Sequence, residues 1–390
     1  SPTRFAVEAK REGLEMGGIV DFDVLDGLEE FWGASRLLDL KACIGIESRV
    51  FVPEFSDREI NSPGEPGISY HMGTGFTTTQ IPAKAQAFLN NMRTTSAERN
   101  QAMVNRVNEF LAPLLLDYDK DVLPLTPNGN ATERHLCLAY ARKASSMFPE
   151  EADLRKFWSE KLGVSTEDIK ELPEGRPITD LIRAKTMKQG GVGYVKPDSG
   201  SFPNMTEMNQ FVLLCGAIPT FTWLDGCSVG EQSIEELVEV GRSSGVAAFN
   251  IIPDRNYTPG KPDQKLENLK QVVKLTEDLD LPLLGGTEMN SPGQKFVDDF
   301  SSTELAPLQP VFIRGSWILH AHSTLQRDTG MGYLSEWAGN QFSSTSAKNE
   351  FYASFGEIFS PRGDQRLKDS LHAEMSADEV TELARQVMSA

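Results

Sequence analysis

The chain has 390 residues, 39% hydrophobic and 24% charged, enough to bury one large core or two moderate ones. Its 38 Lys and Arg against 56 Asp and Glu leave a net charge of −18, which repels the backbone of long nucleic acids and excludes them as partners. No run approaches about 18 uninterrupted apolar residues, so no membrane span is expected, and with no signal-peptide pattern at the start a cytoplasmic location is expected.

The first elements follow a helix–strand rhythm. Thr3 to Gly13 reads as an amphipathic helix with Phe5, Ala6 and Ala9 on one face. A short strand at Gly18 to Asp21, a helix from Leu25 to Leu38 and a strand at Ala42 to Val52 follow, the spacing of parallel β/α units. From residue 79 to 189 helices dominate: Met103, Val107, Phe110, Leu111 and Leu114 recur at helical spacing, and Thr132 to Met147 and Ala152 to Leu162 also read as helices. This stretch is expected to be an inserted helical cap. Strands at Ala217 to Thr222, Val246 to Ile252 and Pro282 to Gly286 then alternate with helices at Ser233 to Arg242 and Gln264 to Leu279. Residues 1–78 and 190–300 are therefore expected to form the barrel, and the aromatic-rich 301–390 a helical extension that covers it or mediates homodimer contact. Ser376 to Glu379 reads as a capping box for the last helix.

The four cysteines are widely spaced, mostly in apolar runs, and read as free thiols in a reducing compartment. No Walker pattern, dinucleotide fingerprint or G-x-S-x-G is present. His320 and His322 form an H-x-H pair, but Gly315 to Leu325 reads as a helix, on which residues two apart diverge.

In a parallel β/α barrel the chemistry sits where strands end. That places Asp21, Asp23, Glu47, His71, Trp223, Asp225, Asn250, Glu288 and Asn290 on one rim. Those positions resemble the motifs of the polymerase and histidinol phosphatase (PHP) superfamily. Gly18-Ile-Val-Asp-Phe-Asp-Val-Leu-Asp-Gly27 is similar to T-D-H-D-x-x-x-G, Ile44-Gly-Ile-Glu47 to G-x-E, and His71-Met-Gly to H-x-L-G. Ala217-Ile-Pro-Thr-Phe-Thr-Trp223 stands for G-G-x-P-V-L-A-H, and Gly286-Thr-Glu-Met-Asn290 for G-S-D-x-H. The resemblance implies a distorted PHP-type (β/α)7 barrel with an inserted cap. Within that cap, the stretches around Arg99, Thr126 to His135 and Gly193 to Pro197 resemble the branch acting on nucleotides or short oligonucleotides.

The departures matter as much as the matches. Phe22, Trp223 and Asn290 stand where the resemblance implies metal-binding histidines, and Glu288 stands for an aspartate. An H-x-H strand is further expected ahead of Ser1. What is kept implies at most one divalent cation, Mn, Mg or Zn, on Asp21, Glu47, His71 and Glu288. In that reading Asp21, Glu47 and Glu288 serve catalysis, and Arg99, Arg134, His135, Trp223 and Asn290 hold a small phosphorylated substrate such as a nucleotide. His135 can equally cap a helix, and Trp223 and Phe22 can line a stacking site or merely fill a lost one. Two functions stay open: a metal-dependent phosphoesterase with a reduced site, and an inactive scaffold that binds a small ligand.

Overall fold

The computed structural model describes residues 1–196, 200–289 and 294–389. In chain order the elements are α1 (Pro2–Arg11), β1 (Met16–Phe22), α2 (Leu28–Leu37), β2 (Lys41–Phe51), β3 (Ile68–Thr74), α3 (Ala83–Leu111), α4 (Glu133–Met147), α5 (Glu151–Leu162) and α6 (Arg176–Thr186). They continue with α7 (Met205–Leu214), β4 (Ile218–Thr222), α8 (Val229–Gln232), α9 (Ile234–Ser243), β5 (Ala248–Ile251), α10 (Gln264–Asp278) and β6 (Leu283–Gly285). The last are α11 (Gln309–Thr329), α12 (Glu336–Gln341), α13 (Thr345–Ile358), α14 (Asp364–Ser370) and α15 (Ala377–Ser389). The chain divides into two compact units, Ser1–Phe88 with Phe202–Ala390, and Leu89–Ser201.

The first unit is built on a single six-stranded sheet in the order β1-β2-β3-β4-β5-β6. Neighbours are parallel except β3, which runs antiparallel to both β2 and β4. That reversal departs from the all-parallel rhythm expected of the sequence: β2 and β3 are joined without a crossover helix, so the chain turns back on itself. The sheet curls, since Phe5 on α1 beside the β1 edge meets Phe296 just beyond β6, with ring centroids 5.2 Å apart. Six strands, rather than seven, lie among the described residues.

The register assigns each residue a face. Glu47 pairs with Phe22 and Met72, Met72 with Thr220, and Thr220 with Ala248. Ser48 pairs with His71, His71 with Phe221, and Phe221 with Phe249. Paired residues share a face and successive residues alternate. Glu47, Phe22, Met72, Thr222 and Asn250 therefore line one side, and Ser48, His71, Phe221 and Phe249 the other.

Helix α7 covers the His71 face so closely that a Cβ on Gly73 would lie 2.5 Å from Val212. Helix α11 lies across the opposite face, toward the beginnings of the parallel strands, where Ile318, Leu319, Ala321 and Leu325 pack with Ile218, Ala248 and Leu284. Glycines permit this approach. A Cβ on Gly315 would sit 2.1 Å from the Leu283 carbonyl, and one on Gly356 of α13 2.0 Å from the Trp317 carbonyl. Residues 301–390 thus belong to the core of the first unit rather than lying over it as a separate cover.

The second unit is helical. Val104, Val107 and Leu111 of α3, Leu136 and Tyr140 of α4, Trp158 of α5, and Ile178 and Ile182 of α6 share one buried cluster. Among the described residues no helix is long and apolar enough to cross a membrane. The four cysteines are free; Cys137 and Cys215 are buried, Cys43 is partly covered and Cys227 is exposed.

Candidate functional site

Glu47 lies toward the end of β2, half-buried, with its carboxyl facing away from the α7 layer. Two further acids reach it. Asp23 follows β1 in a left-handed turn at φ +61°, with its N–H donating to the Glu47 carbonyl at 2.8 Å and its carboxylate accepting from the Ser48 hydroxyl at 2.6 Å. Such a backbone is uncommon outside glycine and is tolerated by aspartate; here the two bonds hold it. Glu288, beyond β6, is the second acid, and Arg255 beyond β5 pairs with it at 3.1 Å. Loss of hydration, then the negative charges of Glu288 and Asp23, push the Glu47 carboxyl up to about 7. Near neutral pH this group exchanges a proton readily.

Further polar residues surround these acids. Arg49, two residues along the same face, pairs with Glu65 at 2.9 Å and lies over the Phe202 ring at 4.3 Å. The Asn61 carboxamide stands between β3 and β4: its oxygen accepts from the Tyr70 N–H and its nitrogen donates to the Thr222 carbonyl, both at 2.7 Å. Thr222 and Asn250 are paired neighbours on the Glu47 face. Glu231 clamps the loop after β4, accepting from the backbone N–H groups of Leu224, Asp225 and Gly226 at 2.7 to 3.1 Å.

The other expected residues are placed differently. His71 lies inside β3, 0% exposed, on the face opposite Glu47. Its Nε2 meets the Asn209 carboxamide oxygen at 2.6 Å, and Asn209 in turn donates to Ser244. Burial pushes this imidazole down to about 4, so it stays neutral at neutral pH. Asp21 shares the His71 side of the register, pairs with Ile46 and is exposed on the edge strand. Trp223 is 1% exposed, so its ring offers no open face for stacking. Phe22, not a histidine, occupies the position beside Glu47. Asn290 lies outside the described residues.

Arg99, Arg134 and His135 belong to the second unit. Arg99 reaches the Ser201 carbonyl and the Ser96 hydroxyl, each at 3.4 Å. Arg134 pairs with Asp180, which Arg176 also holds at 2.7 Å. His135 accepts from the Thr132 N–H through Nδ1 at 3.1 Å, the helix-capping use open to it from sequence. His320 and His322 both lie within α11; His322 is held by the Gly75 carbonyl at 3.2 Å and the Tyr333 N–H at 2.9 Å.

The residues fit a cluster of several metals poorly. Among the described residues no group of three His, Cys, Asp or Glu side chains is arranged to hold an ion. The nearest approach to a donor set is Glu47 with Glu288, two hard oxygen donors beside Asp23. A separate open cleft of 460 Å³, lined by Arg36, Arg327, Asp328, Asp364 and Lys368, is far more polar than catalytic. Its arginines are spent on its own acids, Arg36 with Asp364 at 3.1 Å and Arg327 with Asp328 at 2.9 Å.

Sequence reading missed Arg49, Asn61, Thr222, Glu231 and Arg255. Thr222 ends β4, a position that could have flagged it; the others lie inside β2, in loops or on α8 and take part through contacts made on folding.

No protein family and no curated protein matches the chain. Three solved chains are similar, two of them as follows. One is an amidohydrolase from Chromobacterium violaceum with bound sulfate and no metal, 16% identical, covering 75% of this chain and 83% of its own, at a TM-score of 0.49. The other, from Bifidobacterium adolescentis, is named for metal-dependent phosphoesterase activity; it is 16% identical and covers 80% of this chain and 91% of its own, also at 0.49. Likeness at this level transfers no residue and no activity.

Proposed function

We propose that this chain is a PHP-like hydrolase acting on a small phosphorylated molecule over the strand ends that carry Glu47. In this reading one hard divalent cation, rather than a multi-metal centre, sits with the carboxylate pair. The approach of Glu288 and Asp23 to Glu47 carries the proposal. Burial and then their like charges disfavour the ionised Glu47, and either a proton or a cation relieves it. Arg255 pairs with Glu288, and in this reading a cation would supply the further positive charge that admits a phosphate.

Glu47 and Glu288 would hold the ion, which would neutralise phosphoryl charge and activate water. The chain's own residues do the rest. Arg255 orients Glu288, Ser48 orients Asp23, and Glu47 accepts or returns a proton near neutral pH. Arg99, Arg134 and His135 are proposed as phosphate contacts on the motif resemblance alone; Arg99→Ala and Arg134→Ala raising KM is their test.

A second reading, binding without turnover, is favoured by the withdrawal of His71 to the other face and by Phe22 beside Glu47. Titration of the purified protein with Mg²⁺ and Mn²⁺, followed by a phosphatase screen with and without chelator, separates the two. Cation-dependent hydrolysis that disappears in Glu47→Gln supports the enzyme. Cation and ligand binding without hydrolysis supports the scaffold. No cation binding at all sinks both forms of the site.

A further inference from the structure

On the Glu47 face one buried hydroxyl has no partner among the described residues, and an asparagine stands next to it in register. Thr222 is 2% exposed, and its hydroxyl has no hydrogen-bond partner among the described residues. Asn250, its register neighbour on β5, is 8% exposed, and its backbone carbonyl accepts from the Trp223 N–H at 3.0 Å. A Cβ on Gly286 would lie 3.4 Å from its carboxamide oxygen, an ordinary contact that places this side chain beside the end of β6.

Several other buried polar groups of this sheet are matched, although His71 Nδ1 on the opposite face and Trp223 Nε1 also have no partner among the described residues. Thr74 and Thr220, one layer nearer α11, bond each other at 2.8 Å. Asn61 satisfies a donor and an acceptor at once. A buried hydroxyl or amide left unpaired is costly, and native folds keep few such groups without a use for them. Thr222 and Asn250 also stand at the same end of the sheet as Glu47, beyond the apolar layer of Ile218 and Ala248.

We infer that Thr222 and Asn250 read the hydroxyl groups of the ligand, so that the substrate class is a phosphorylated sugar or polyol. This rests on the site reading above. Each side chain offers both a donor and an acceptor, as each hydroxyl of a polyol does. Strand neighbours stand about 4.8 Å apart, a spacing that engages separate hydroxyls of one small molecule.

Calorimetry in the presence of Mg²⁺ tests this with three probes: inorganic phosphate, a hexose monophosphate and a nucleoside monophosphate. The wild type is expected to bind the hexose phosphate at least tenfold tighter than phosphate, an interval of about 1.4 kcal/mol. Thr222→Val and Asn250→Leu each reduce that preference about tenfold while leaving phosphate affinity unchanged. Because the threonine hydroxyl is unpartnered in the ligand-free fold, Thr222→Val does not lower the melting temperature.

A variant that keeps the preference, or that melts several degrees lower with affinity intact, overturns the inference and makes the hydroxyl structural. Tighter binding of the nucleotide, lost in Asn250→Leu, overturns the sugar class. Phosphate binding with no preference for the hexose phosphate refutes this inference and leaves the site reading standing. Failure to bind any probe refutes both.

Discussion

The two faces of the sheet differ by one residue of register and have opposite chemistry. On one face His71 is sealed between Asn209 and Phe221 under α7, neutral and dry. On the other Glu47 stands among acids, with Asn250 and Thr222, whose hydroxyl has no partner among the described residues, on the same side. Both residues sit within motifs that resemble metal-binding segments, and both have the right chemistry for ligation. A period of two along the strand decides which of them remains available. A donor count taken from motifs therefore overstates the site, since a ligand must also share a face with its partners.

That contrast can be broken most forcefully with acid. His71, His320 and His322 are buried and pushed down to about 4, 3 and 4, chiefly by loss of hydration. The unfolded chain protonates them near 6.5, so their contribution is fully present above that pH and is lost as the pH falls toward 4. With an upper bound of about 3 kcal/mol for each imidazole, unfolding stability should fall by several kcal/mol between pH 6.5 and 4. Urea titrations across that interval check it; a flat profile would mean the closed face is wet. A smaller, sharper cut is His71→Ala. It should cost about 3 kcal/mol in urea unfolding, from the cavity and the stranded Asn209 carboxamide, while cation affinity per folded molecule stays unchanged. Weaker cation binding at unchanged stability would place His71 with Glu47 after all.

Much of this fold was legible in sequence because the elements obey simple periodicity. The strands carrying Ile44, Phe221, Phe249 and Leu284 read as apolar runs between helical stretches, and α1, α2, α4, α5, α9 and α10 fall where apolar spacing puts them. The antiparallel β3 was not legible, since strand direction depends on a connection whose path leaves no mark in the residue pattern. The site was half legible. Glu47, Asp23 and Glu288 stand out as acids at strand ends, but the face of His71 depends on a β2–β3 pairing set by a long connection. Arg255 and Glu231 act through contacts made only once the loops fold, so nothing local announces them.

The open face has a structural clamp that should show an intermediate effect. Glu231 is 2% exposed and holds three backbone N–H groups of the loop carrying Leu224 to Gly226. Glu231→Ala leaves those donors buried and unpaired, for a loss of about 2 kcal/mol. Glu231→Gln, which keeps one acceptor oxygen, should lose less. Equal melting temperatures for the wild type and both variants would show that the loop is held some other way.

The smallest effect discriminates between the faces best, because its sign is opposite. Glu47 has a raised carboxyl, so the folded state binds its proton more tightly than the unfolded chain does. Its stabilisation is present below the ordinary carboxylate range, near 4.5, and is lost as the pH rises through about 7. Glu47→Gln cannot ionise and escapes that loss. The variant should match the wild type near pH 5 and exceed it by about 1 kcal/mol at pH 8, the modest figure reflecting a residue that is partly exposed. Both proteins share the histidines, so subtracting one urea profile from the other removes the acid limb and leaves the Glu47 contribution alone. A saturating divalent cation should then reverse the order at pH 8, because only the wild type retains both carboxylates to bind it. If the variant is instead less stable than the wild type at pH 8 without cation, Glu47 is already neutralised within the fold, and the open face is as closed as the other.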